Sequence, residues 1–152
     1  MDTTESLLAV HEITQVIHEY ARLVDLNHTD EQAMCFTDDG VADYYGTDIV
    51  GRAAIAALLG PAVNRWIASC HTISNIQIVL ADASTATSVC YVHAWHRVDP
   101  SGDGDFEVRG QYHDRWRRTD DGWRITRRTF LTMAATPPRP GAPGIGRARH
   151  SA

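Results

Sequence analysis

Between residues 71 and 136 the sequence holds long segments rich in β-branched and aromatic residues: His71–Leu80, Ala86–Val98, Phe106–Arg118 and Trp123–Thr136. Such side chains suit a pleated, half-buried surface. The segments are separated only by Ala81-Asp82-Ala83, by Asp99 to Asp105, and by Thr119-Asp120-Asp121-Gly122. None of these connections can hold a crossover helix, so consecutive strands must pair as antiparallel hairpins.

The preceding chain reads as helical. Leu7, Val10, Ile13, Val16, Ile17, Tyr20 and Val24 recur at spacings of three and four, which predicts an amphipathic helix over 5–24. Thr29-Asp30-Glu31-Gln32 offers a capping box for a second, short helix through Phe36. Asp38-Asp39-Gly40 reads as a turn and Val41–Tyr45 as a short strand. A third helix fits Arg52–Leu59, and Pro61 suits the first turn of a fourth through Ser69. Helices followed by hairpins imply an α+β, cone-shaped barrel, with N-terminal helices packed on a strongly curved antiparallel sheet that encloses a pocket. That domain covers residues 1–136. The Pro/Gly-rich tail, 137–152, reads as an extended or disordered arm.

At 152 residues the chain fits one domain. Its net charge of −5 lacks the basic footprint of a nucleic-acid binder. No apolar stretch approaches the ~20 residues of a membrane span, and Met1 to Ser6 lacks a signal-peptide pattern. No membrane partner is expected, and cytoplasmic localisation is the default. Three widely spaced cysteines, Cys35, Cys70 and Cys90, suggest neither a disulfide framework nor a zinc knuckle. All 14 basic residues are arginines, which rules out lysine Schiff-base chemistry.

Alternation along the strands sorts the polar residues. Ser88, Cys90, Val92, Ala94 and His96 share one face, small enough to line a cavity. The bulky opposite face, with Tyr91, His93 and Trp95, fits packing against another subunit and predicts a homo-oligomer, dimer or trimer. Gly110, Tyr112, Asp114 and Trp116 share a face of the next strand, and Asp114 suits a pocket role or an arginine partner equally. His71, His96 and Asp25 are zinc-ligand types, but no HExxH or CxxC spacing accompanies them, so no metal is expected. Glycine-rich phosphate loops are absent, and no cofactor is expected.

Several motifs together resemble the SnoaL-like family of the nuclear-transport-factor-2-like superfamily. They are Tyr20 to Asp25, Phe36 to Gly40 with Asp43-Tyr44, Gly51 to Ile55, His71 to Asn75, Gly110 to Asp114, and Asp121 to Ile125. Within that superfamily the chain is similar to scytalone dehydratase, hexachlorocyclohexane dehydrochlorinase and a bile-acid dehydratase. The resemblance implies a histidine base, His71, oriented by an aspartate, Asp25, with Tyr20 at a further catalytic position. It also implies substrate contacts from Tyr44, His96, Tyr112 and Arg128, beside the cavity-face residues Cys90 and Val92. Val24 departs from the tyrosine that scytalone dehydratase carries before its aspartate, which argues against that enzyme's own substrate.

The chemistry is consistent with those roles. An imidazole titrating near 6.5 can take a proton close to neutral pH, and a carboxylate on its other nitrogen fixes the tautomer. The expectation is a cofactor-independent, dehydratase-type lyase acting on an apolar cyclic small molecule, such as a secondary metabolite. The same dyad can start an isomerisation or a cyclisation, and a non-catalytic ligand-binding module stays open. The separation of His71 and Asp25 decides between chemistry and binding.

Overall fold

The computed structural model describes residues 2–44 and 46–137. Helices α1 (Thr3–Asp25) and α2 (Thr29–Ala33) precede strands β1 (Phe36–Tyr44) and β2 (Asp48–Val50). Helix α3 (Arg52–Val63) then leads into β3 (Ala68–Leu80), β4 (Thr85–Arg97), β5 (Phe106–Thr119) and β6 (Gly122–Thr136). The strands form one open sheet in the order β2-β1-β6-β5-β4-β3, with α1 packed against β3 and β6. This is the α+β cone that the pattern implied. Among the described residues no helix is long and apolar enough to cross a membrane.

Helix α1 starts earlier than its apolar stripe because Asp2 caps it. The Asp2 carboxylate accepts the Glu5 N–H at 2.8 Å, and the Glu5 carboxylate accepts the Asp2 N–H at 2.9 Å. The stripe is buried at Ile13, Ile17, Tyr20 and Val24, with Ala9 added to it, whereas Leu7 and Val10 in the first turns are exposed. Ile13 and Ile17 join Phe36, Trp116, Trp123 and Ile125 in one core, all essentially inaccessible. The Trp116 indole donates to Ser88 Oγ at 2.9 Å, so its buried N–H is satisfied.

Several local expectations change. The sheet is mixed, because β1 pairs with β6 in parallel, and hairpin logic sees only strands adjacent in sequence. β2, too short to show a pattern, pairs with β1 antiparallel. The Thr29 capping box does not form: Thr29 is already helical behind His28, and no side chain caps α2. Asp38-Asp39-Gly40 is a bulge inside β1, where Phe36 pairs with Ile125 but Val41 already pairs with Arg127. No fourth helix exists. Pro61 lies within α3, and the segment beyond is drawn into the sheet, with Ile67 N–H on the Arg97 carbonyl at 2.7 Å and Ala68 opposite Arg97. Tyr45 and the tail from residue 138 lie outside the described residues.

Two bulges decide what faces inward. Ser74 pairs with Tyr91 and Gln77 with Val89, which leaves one extra residue on β3, at Asn75, whose φ is +51°. Arg115 pairs with Arg127 but Trp116 with Ile125, which leaves Thr126 extra on β6. Each extra residue reverses the alternation. Hence His71 and Ile73 share the inward face with Ile76, Ile78 and Leu80, and Trp123 and Ile125 share it with Arg128 and Phe130.

Candidate active site

Between α1, α3 and the concave side of the sheet lies a cavity of about 490 Å³. Its wall is mostly apolar, with Val24, Leu59, Val63, Ala94, Val108 and Phe130 among its residues. Phe130 reaches it because Gly110 leaves room. A Cβ at residue 110 would lie 2.5 Å from the Phe130 ring and from the Leu131 carbonyl oxygen.

His71, whose side chain is only 7% exposed, enters this cavity from β3. Asp25, the last residue of α1, meets it. His71 Nδ1 is 2.7 Å from Asp25 Oδ1, the His71 backbone N–H donates to Oδ2 at 2.8 Å, and Ser69 Oγ donates to Oδ1 at 2.7 Å. A carboxylate at a helix C-terminus opposes the local dipole, so these donors are what hold the charge there. Burial pushes the Asp25 carboxyl up, but the hydrogen bonds from the His71 ring, its N–H and Ser69 outweigh this and leave it below the usual range. An ionised Asp25 only accepts, so Nδ1 must carry the ring proton. Nε2 takes no hydrogen bond from the described residues, which leaves its lone pair for a ligand.

Beside the dyad, His96 is 4% exposed and sits in an aromatic stack. The Phe106 ring lies parallel to it, with centroids 4.3 Å apart at 14°, and Trp66 lies at 4.0 Å and 54°. His71 meets His96 edge to face at 5.3 Å. His96 therefore lines the cavity next to the dyad, as alternation along β4 placed it.

Tyr20 and Tyr44 also line the cavity, and their hydroxyls share a short hydrogen bond. Burial raises both phenols above the ordinary tyrosine range; the Arg128 charge offsets only part of this. Both stay protonated at neutral pH and can offer a neutral O–H. Tyr20 bonds Tyr44 rather than the dyad.

Four residues expected on the substrate wall are not among those lining the cavity: Tyr112, Arg128, Cys90 and Val92. All lie behind it in the core. Arg128 is fully buried, sandwiched with its guanidinium carbon 4.1 Å from the ring centroids of both Tyr20 and Tyr112. It pairs with Asp114 through two hydrogen bonds of 2.8 Å each. Asp114 is thus an arginine partner, and Arg128 supports Tyr20 from below. Burial pushes the Cys90 thiol up to about 11, so it is an inert packing group. Conversely, Trp66, Phe106 and Gln32 line the cavity without having been singled out. Continuing the β5 alternation back from Gly110 would have reached Phe106. Trp66 and Gln32, in a connection and a one-turn helix, carry no periodic signal. Among the described residues no group of three or more His, Cys, Asp and Glu side chains could hold a metal ion.

No curated protein matches the sequence. Solved structures do match. A candidate scytalone dehydratase from Novosphingobium aromaticivorans has a TM-score of 0.87 at 28% identity, covering 97% of this chain and 100% of that one. A candidate aromatic ring hydroxylase from the same organism has a TM-score of 0.72 at 28% identity, over 86% of this chain and 90% of that one. A hexachlorocyclohexane dehydrochlorinase from Novosphingobium barchaimii has a TM-score of 0.79 over 95% of this chain and 99% of that one; at 17% identity it speaks for the fold alone. The model of the SnoaL-like domain matches residues 5–129, most of the chain. The chain belongs to the SnoaL-like domain family and has its nuclear-transport-factor-2-like fold.

Proposed function

We propose that the protein is a cofactor-independent lyase that eliminates water from an apolar cyclic small molecule, with His71 as general base and Asp25 orienting it. The observation that carries this reading is the 2.7 Å contact between His71 Nδ1 and Asp25 Oδ1 at the wall of an apolar cavity. A ligand-binding module has no need of a half-buried carboxylate that fixes one histidine tautomer. The similarity to a candidate scytalone dehydratase at 28% identity favours dehydration among the reactions such a dyad can start.

In the proposed reaction Nε2 takes a proton from the carbon next to a ring carbonyl, and the C–H electron pair moves into an enolate. The enolate then re-forms its carbonyl and expels the β-hydroxyl, which takes the proton back from the His71 imidazolium and leaves as water, so that the neutral imidazole is restored. Tyr20 and Tyr44, protonated and hydrogen-bonded to each other, are the neutral donors for the enolate oxygen or the departing hydroxyl. The imidazolium formed at His71 is stabilised by Asp25.

The test uses a panel of cyclic β-hydroxy ketones, with water loss followed by the ultraviolet absorbance of the conjugated enone. The wild-type protein should turn over at least one member, and His71→Ala should be slower by about 10³-fold or more. Full turnover by His71→Ala would sink the mechanism. Self-association through the outer sheet face belongs to the same reading, because Val79, Tyr91 and Met133 are exposed there. Sedimentation as a monomer at micromolar concentration would remove that part.

A further inference from the structure

One polar side chain on the cavity wall is not used by the fold. Gln32 lines the cavity and is 1% exposed, yet its Oε1 takes no hydrogen bond from the protein. Only its backbone is engaged, N–H to the His28 carbonyl at 2.9 Å and C=O from the Cys35 N–H at 3.2 Å. A buried amide oxygen without a partner carries a desolvation penalty that a leucine in the same place would avoid. The other inner polar groups have partners and serve the elimination, Tyr20 and Tyr44 bonded to each other and His71 to Asp25, while His96 stands in its aromatic stack. Thr47 and Arg65 also line the cavity but are exposed to solvent.

We propose that Gln32 is a substrate-binding residue that selects ligands by a neutral hydroxyl or carbonyl distinct from the group activated by His71. A primary amide both donates and accepts without charge, so it matches a neutral oxygen function and offers no counter-charge to an ion. A site built to bond a hydroxyl discriminates against the analogue without that donor, because its own polar group is then left buried and unpaired. The proposal rests on the cavity being the substrate site and adds a second polar contact to it, on α2 rather than β3.

Naphthol and its methyl ether are suitable probes, since the ether keeps the two-ring body and loses the O–H donor. By titration calorimetry the wild-type protein should bind naphthol about tenfold more tightly than the ether. Gln32→Leu should bring the two affinities within about twofold of each other while melting at or above the wild-type temperature. His71→Ala should keep the naphthol preference, so a failure of the elimination mechanism leaves this result untouched and is read separately, from turnover. A wild-type protein without the preference, or a Gln32→Leu protein that keeps it, overturns the proposal. So does Gln32→Leu melting well below wild type, which would assign Gln32 to the fold.

Discussion

Asp25 holds His71 at two points: Oδ1 on the ring Nδ1 at 2.7 Å and Oδ2 on the backbone N–H at 2.8 Å. One carboxylate at the end of α1 thus fixes both the position of β3 and the tautomer of the imidazole it presents. Asp25→Asn keeps the shape but can direct an N–H at Nδ1, which forces the ring proton onto Nε2. The expected loss in kcat is about 10³- to 10⁴-fold, with little change in KM. Steady-state kinetics on any substrate found in the enone assay checks this.

The same contact makes stability depend on pH. The folded carboxyl of Asp25 is held below its usual range, so the unfolded chain binds that proton more readily. Its stabilisation is complete above the ordinary aspartate value near ~3.9 and is lost as the pH falls through the depressed folded value. Other low carboxyls, such as Asp39 and Asp82, contribute in the same direction. Urea melts of wild type and Asp25→Asn at a series of acidic pH values isolate the Asp25 share: the variant should lose less stability on acidification.

Asn75 sets the phase of β3 from the left-handed region, at a φ of +51°. Asn75→Val should lower stability by about 1–2 kcal/mol, whereas Asn75→Gly should leave it within about 0.5 kcal/mol. Deleting residue 75 removes the bulge and leaves a regular strand in which His71, Ile73, Ile76, Ile78 and Leu80 still alternate onto one face, whereas inserting a second residue there would turn the Ile76–Ile78–Leu80 set away from His71. The deletion should therefore fold and keep activity, and the insertion should lose it. Chemical denaturation and circular dichroism distinguish these outcomes.

Arg128 and Asp114 form an ion pair with both side chains at 0% exposure. Asp114→Ala leaves the guanidinium uncompensated and should cost about 3–5 kcal/mol. Replacing both together, as Asp114→Leu with Arg128→Met, should recover much of that loss, because well-packed apolar residues can replace a buried pair. A double-mutant cycle by denaturation supplies the coupling, and the Tyr20 contacts make some loss of activity expected in every variant.

The strands were legible because β-branched and aromatic residues repeat over long runs, and α1 because its apolar residues recur every three or four positions. His71 and Asp25 were also legible, as residue types within recognisable motifs. The inward face was harder to read. Strict alternation sets His71 apart from Ile76, Ile78 and Leu80, and only the bulge at Asn75 brings them together. Burial of Arg128 likewise depends on the extra residue at Thr126, and instead of touching the cavity it underlies Tyr20. The parallel β1–β6 pair arises between segments far apart in sequence, which local patterns do not encode.

In the proposed mechanism Asp25 keeps the proton on His71 Nδ1 and leaves Nε2 free to accept one. Heteronuclear NMR of the imidazole nitrogens, on the unligated wild-type protein in alkaline buffer, reads that directly. Neutral His71 should show the Nδ1–H form, shifting toward Nε2–H in Asp25→Asn. A wild-type His71 that carries its proton on Nε2 would contradict it.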